Sequence, residues 1–173
     1  QHISYGLLRL PAGKMSSRTG KVITAESLLA EVKTAISKKI ADRNFKTEER
    51  ETVTEAVAIS AIKYSILKQA PGRDIIFDLA KSLSFEGDSG PYLQYSYVRA
   101  RAVIEKGIAE NILPNLEQGL IEINELEKHL TCFPEIVARS TTLYAPNLLV
   151  AYLTELASSF NAYYATQKIV DPT

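Results

Sequence analysis

Apolar residues recur at helical spacing along most of this 173-residue chain, and only its first stretch alternates. Residues 3–10, Ile-Ser-Tyr-Gly-Leu-Leu-Arg-Leu, partly alternate and predict a short strand that Pro11-Ala12-Gly13 ends. Gly20 breaks the next stretch, and residues 21–24 predict a second short strand. Thr24 then has the chemistry of a helix N-cap, with Glu26 in the first turn. Leu28, Leu29, Val32, Ala35, Ile36 and Ile40 predict the buried stripe of a helix over 25–43. A second helix opens at Thr47 and stops at Pro71-Gly72, with Val53, Val57, Ile59, Ile62 and Ile66 as its expected buried face. Residues 74–78 are short and ambiguous, reading as an extended piece followed by a helical turn to Leu83. Residues 85–90 form a loop by composition, and Pro91 suits the first turn of a third helix that runs to Gly107. Helical pattern resumes near 124–132 and again from Pro134. A last long helix starts at Pro146 and buries Leu149, Tyr152, Leu153, Leu156, Phe160 and Tyr163 or Tyr164.

The fold class this predicts is mainly α: a helical bundle preceded by a short β and loop remnant. Two short strands with no sheet to join are marginal alone, so the simplest expectation is that they were cut from a larger domain. Composition agrees with a globular chain, at 46% apolar and 23% charged. No apolar run approaches the ~20 residues of a membrane span, and the first residues carry neither the charged nor the apolar region of a signal peptide. A single cysteine, Cys132, excludes an internal disulfide and fits a reducing, cytoplasmic setting. Net charge is zero, which by itself argues against a strongly electrostatic nucleic-acid binder. Its distribution changes that picture. Residues 1–24 hold Arg9, Lys14, Arg18 and Lys21 and no acid, whereas residues 108–135 hold six glutamates against Lys128. The first segment is suited to phosphate and the second to water.

Several chemical signals fail. Gly87-Asp88-Ser89-Gly90-Pro91 lacks the second glycine of a serine-protease nucleophile loop, and neither histidine has a protease-like setting. His129 and Cys132 share a helix face, but two ligands do not make a zinc site, so no metal site is expected. There is no phosphate-binding Walker loop and no dinucleotide fingerprint. Two signals survive. The stretch from Leu10 to Gly20 is a glycine-flanked loop with two cations and several hydroxyls, a composition that can hold a polyphosphate; a solvated basic turn is the bland alternative. The stretch from Gly90 to Arg101 interleaves Tyr92, Tyr95 and Tyr97 with Arg99 and Arg101. On a helix Tyr92, Tyr95 and Arg99 share one face, while Gln94, Tyr97 or Val98, and Arg101 share another. Tyrosines that stack on bases beside arginines that meet phosphates suit a single-stranded RNA loop. Tyrosines completing a bundle core beside snorkelling arginines account for the pattern equally well.

Together and in this order these segments resemble a class I aminoacyl-tRNA synthetase. Lys14-Met15-Ser16-Ser17-Arg18 resembles the KMSKS loop of that class. The stretch from Leu83 to Tyr95, with its Pro91-Tyr92-Leu93-Gln94-Tyr95 core, is similar to the arginyl enzymes. So are Tyr5-Gly6 through Arg9-Leu10-Pro11, and Leu156-Ala157 with Phe160-Asn161. The resemblance covers essentially the whole chain and is weakest from about 108 to 130. It implies an enzyme that converts arginine and ATP, supplied with Mg2+, to arginyl-adenylate and then moves the arginyl group to its tRNA. Lys14, Met15, Ser16, Ser17 and Arg18 would contact ATP, with Lys14 and Arg18 in the catalytic role. Ser17 stands where the motif has its second lysine, and Arg18 or Lys21 would supply the missing cation. Tyr92, Gln94, Tyr95, Arg99 and Arg101 would bind the arginine-accepting tRNA. A cytoplasmic monomer is expected.

The domain organisation implied is a catalytic-domain remnant with the KMSKS-like loop over 1–24, connecting helices over 25–84, and an α-helical anticodon-binding domain over 85–173 that is incomplete at its end. Two alternatives stay open: another class I synthetase such as the cysteinyl enzyme, and a helical protein-interaction module with no RNA role. Because the HIGH motif and the arginine pocket would lie before Gln1, the isolated chain is expected to make no adenylate. ATP–pyrophosphate exchange with the pure chain should therefore not rise above a mock preparation, and a clear signal would contradict the fragment reading.

Overall fold

The computed structural model describes residues 3–4, 6–11, 24–112, 114 and 123–170. The chain divides into two compact units, Gln1–Tyr92 and Leu93–Thr173.

In the first unit the early strand is real but short. β1 (Leu8–Arg9) pairs in parallel with β2 (Ile75–Ile76), Leu8 opposite Ile75 and Arg9 opposite Ile76. The partner is thus the ambiguous stretch after Pro71-Gly72, while the second expected strand, over 21–24, lies almost wholly outside the described residues. Asp74 fixes the register from the side: its carboxylate accepts from the Leu7 amide at 3.0 Å and pairs with Arg9 at 2.6 Å.

Helix α1 (Ala25–Lys39) starts where Thr24 predicts, with its hydroxyl accepting from the Ser27 amide. It ends four residues before the expected boundary. The reason is Arg50, whose guanidinium donates to the carbonyls of Ile40, Ala41 and Arg43 and so satisfies the chain as it turns out of the helix. Leu28, Val32 and Ile36 are buried as predicted, and Leu29, Ala35 and Ile40 pack on their flank.

Helix α2 (Thr47–Leu67) corrects the expected face. Its buried stripe is Thr54, Ala58, Ala61, Tyr64 and Ser65, while Ile59 and Ile66 are exposed and Val57 and Ile62 sit at the margin. Small residues along the contact line let α2 lie close to α1, and the larger apolar residues then fill the sides. Phe77 and Leu83 close this core from below, on either side of the single turn of α3 (Leu79–Ser82), which Asp78 caps through the Lys81 amide.

In the second unit α4 (Gly90–Ala109), which begins three residues earlier in the first, is followed by α5 (Glu125–Thr131), α6 (Phe133–Thr142) and α7 (Pro146–Thr166). Asn124 and Glu127 make a reciprocal capping box at the start of α5. At the end of α4 the amides of Asn111 and Ile112 return to the carbonyls of Ile108 and Gly107. The amides of Tyr144 and Ala145 do the same to Thr141 and Ser140 at the end of α6. Both are Schellman closures that place a non-glycine residue, Asn111 or Tyr144, at positive φ. Along α7 the fully buried residues are Val150, Tyr152 and Ala157, whereas Leu149, Leu153, Leu156, Phe160 and Tyr163 are half-buried and Tyr164 is exposed. Tyr152 donates to the His129 carbonyl at 2.8 Å and rests on Phe133. Burial, with a smaller contribution from Cys132, raises its pKa above the ordinary tyrosine value.

The small-residue stripe of α2 makes a direct test. Ala58→Leu forces a branched side chain into the α1–α2 contact and should cost about 1–3 kcal/mol. Ile59→Ala, one residue along on the exposed side, should stay within ~0.5 kcal/mol. Urea unfolding of both variants checks this, and equal losses would mean that the register of α2 is wrong.

Candidate nucleic-acid interface

The loop from Phe85 to Pro91 sets where α4 begins, and its composition is a set of local backbone requirements. Gly87 has φ +124° and Asp88 φ +47°, so the chain reverses here through conformations that only glycine and short polar residues tolerate well. Asp88 is fixed by the Tyr64 hydroxyl at 3.0 Å and the Lys68 ammonium at 2.9 Å. The buried Ser89 hydroxyl donates to the Ser84 carbonyl and accepts from the Tyr92 amide, capping α4. Gly90 touches α2: a Cβ there would lie 2.3 Å from the Ser60 carbonyl oxygen. Pro91 is buried behind it. The Gly-Asp-Ser-Gly run is therefore a helix anchor.

Along α4 the five candidate RNA-contacting residues separate. Tyr92 closes the first unit and is half-buried. Gln94 is half-buried as well. Tyr95 and Arg99 meet, as their spacing requires: the guanidinium lies 4.4 Å from the centre of the Tyr95 ring. A second ring, that of Tyr164 on α7, is centred 4.6 Å from the same group. Arg99 thus contacts two tyrosines that are each about 40% exposed (42% and 41%), contacts worth about 0.5–2 kcal/mol apiece. One of its amino groups donates to Asn161 Oδ1 at 2.8 Å, and Asn161 Nδ2 donates to the buried Ser96 hydroxyl at 2.7 Å. Arg101 lies outside this cluster. It is exposed, pairs with Glu105 at 2.8 Å on the next turn, and has its pKa raised by hydrogen bonding to Tyr97 and then to Glu105.

Of the three cations on α4, Arg101 and Lys106 are each answered by a glutamate four residues later. Arg99 alone has no acidic partner among the described residues. Its charge is held by aromatic faces and an amide. Sequence reasoning named Tyr95 and Arg99 but missed Ser96, Asn161 and Tyr164 as their partners. Helical spacing puts Tyr163 or Tyr164 in the core stripe of α7, and no local spacing joins positions more than sixty residues apart.

Lys14, Met15, Ser16, Ser17 and Arg18, with Lys21, lie outside the described residues. His129 is committed to packing, its Nδ1 2.9 Å from the Ser159 hydroxyl, while Cys132 is exposed. Among the described residues no group of three or more His, Cys, Asp or Glu is placed to hold a metal. No described helix is long and apolar enough to cross a membrane.

Comparison with known proteins gives this geometry its context. Residues 1–79 match the family of class I (R) tRNA synthetase catalytic domains, and residues 93–173 match the DALR anticodon binding domain. An arginine–tRNA ligase of Methanospirillum hungatei is 37% identical over 171 residues, and one of Clostridium acetobutylicum is 36% identical over 169. Each alignment takes in 97% of this chain and 30% of the relative. The solved arginyl-tRNA synthetase of Thermus thermophilus superposes with a TM-score of 0.80 at 30% identity, over 95% of this chain and 27% of that one. The Plasmodium falciparum enzyme, at 23% identity and a TM-score of 0.73, shares the fold. The matched domains are those of a class I synthetase. The chain belongs to the arginine–tRNA ligase family, and it spans about 30% of the length of these curated relatives. These matches give no support to the interaction-module or cysteinyl alternatives.

The Ser96–Asn161–Arg99 chain joins α4 to α7 through partly buried polar groups. Asn161→Ala removes both of these bonds and should cost about 1–3 kcal/mol, read as a lower urea midpoint. An unchanged midpoint would mean that these bonds do not form in solution.

Proposed function

We propose that this chain works within an arginine–tRNA ligase, where its second unit grips the anticodon stem and loop of the arginine-accepting tRNA. The observation that carries the reading is Arg99. Its guanidinium contacts the rings of both Tyr95 and Tyr164, and Asn161 takes one amino group. Two ring contacts and this bond hold the planar group in place, so it gives up little freedom when a further N–H meets a phosphate or a base. The half-exposed rings beside it are surfaces on which a base can stack. Arg101 adds an exposed charge on another face of the helix, and Tyr92 and Gln94 extend the same helix toward its start.

The whole ligase activates arginine with ATP and Mg2+. The arginine carboxylate attacks the α-phosphorus and pyrophosphate leaves; a terminal ribose hydroxyl of the tRNA then attacks the activated carbonyl and AMP leaves. Lys14, with Arg18 or Lys21, carries positive charge suited to the departing pyrophosphate, and Met15, Ser16 and Ser17 complete the ATP-contacting loop. Catalytic-domain, connecting and anticodon-binding parts over 1–24, 25–84 and 85–173 fit this division of labour. We place the enzyme in the cytoplasm, acting as a monomer.

Two substitutions test the RNA reading. Arg99→Lys keeps the charge but not the plane, and should weaken binding of arginine tRNA roughly tenfold or more. Arg101→Ala should weaken all tRNAs alike and lower the salt slope by about one. Anisotropy titrations over a salt series read both effects. Affinities unmoved by either change would sink this assignment of α4.

A further inference from the structure

The first unit holds an apolar groove of about 330 Å³, lined by Ile36, Lys39, Ile40, Arg43, Phe45, Val53, Val57, Leu83 and Phe85. Ile36 and Leu83 are buried and form its floor, while Phe85 at its mouth is 52% exposed, an unusual position for a phenylalanine. Its charged members are both cations and no carboxylate lines it. The Lys39 ammonium is tied to the Leu83 carbonyl at 3.1 Å, which fixes its charge at the groove. Arg43 has no acidic partner among the described residues. Arg50 donates to the carbonyls of Ile40, Ala41 and Arg43 just beyond α1, which places a further positive charge at that end of the helix.

An apolar slot with an exposed aromatic at its lip and only positive charge around it is complementary to one planar, weakly polar ring joined to an anion. We propose that this groove takes an unpaired nucleobase of the tRNA, stacked on Phe85, with the adjoining phosphate on Lys39 and Arg43. The inference rests on the RNA-binding reading above and adds a second point of contact in the first unit, outside the residues 93–173 that match the anticodon binding domain. An acidic, apolar peptide segment has related chemistry. The flat exposed ring favours the base, because stacking is insensitive to which base is offered.

The chain has no tryptophan, so Phe85→Trp introduces a single reporter at the lip of the groove. Titration with arginine tRNA should quench the introduced indole in parallel with binding seen by anisotropy of labelled tRNA. Phe85→Leu should weaken binding roughly 5- to 50-fold, the worth of one stacked base, without moving the melting temperature. Binding of tRNA with indole emission unchanged would overturn the proposal, and so would an emission already blue-shifted in the free chain, since protein would then cover the ring. If arginine tRNA does not bind at all, the reading of the second unit fails. The groove is then decided by a short single-stranded oligoribonucleotide: quenching supports it, and unchanged emission at millimolar oligonucleotide overturns it.

Discussion

The Arg99 guanidinium lies 4.4 Å from the centre of the Tyr95 ring and 4.6 Å from that of the Tyr164 ring, and one of its amino groups donates to Asn161. That constraint links α4 to α7 in the second unit. Ser96 and Asn161 serve it by taking one amino group in a partly buried chain of hydrogen bonds. A lysine in the same place would be a mobile point charge, whereas the arginine is a planar group held by two rings and an amide. Fixed donors suit recognition of RNA, because their ordering cost is met when the protein folds rather than when it binds.

The same logic runs through the first unit at the level of backbone. α4 can begin where it does only because Gly90 allows contact with the Ser60 carbonyl and because Asp88 accepts a positive φ while bonded to Tyr64 and Lys68. Arg50 does for the end of α1 what Ser89 does for the start of α4: each gives a partner to backbone groups that the helix leaves unpaired. The helices are thus held at their ends by specific polar contacts, and along their lengths by small residues that let them pack closely.

Much of this was legible in the sequence. Thr24 and Asn124 announced their helix starts, and Pro91 and Pro146 marked first turns. Leu28, Val32 and Ile36 declared the core face of α1. The Tyr95–Arg99 spacing placed the two on one face, where they do meet. On α2 hydrophobicity points to Ile59 and Ile66, while packing selects Ala58 and Ala61 for their size. The end of α1 was placed late because the residue that closes it, Arg50, belongs to the next helix. Tyr164 and Asn161 were out of reach for a similar reason, since they contribute through contacts across more than sixty residues. The polyphosphate-binding reading of residues 14–18 rests on their composition and on the resemblance, as they lie outside the described residues.

The central claim is that this chain recognises arginine tRNA. Its most direct test is to mix the chain with total cellular tRNA at low salt, recover the bound fraction, and sequence it. Enrichment of arginine-accepting tRNAs over the input is the expected result. A bound pool with the composition of the input, obtained with a chain that melts cooperatively, would contradict it.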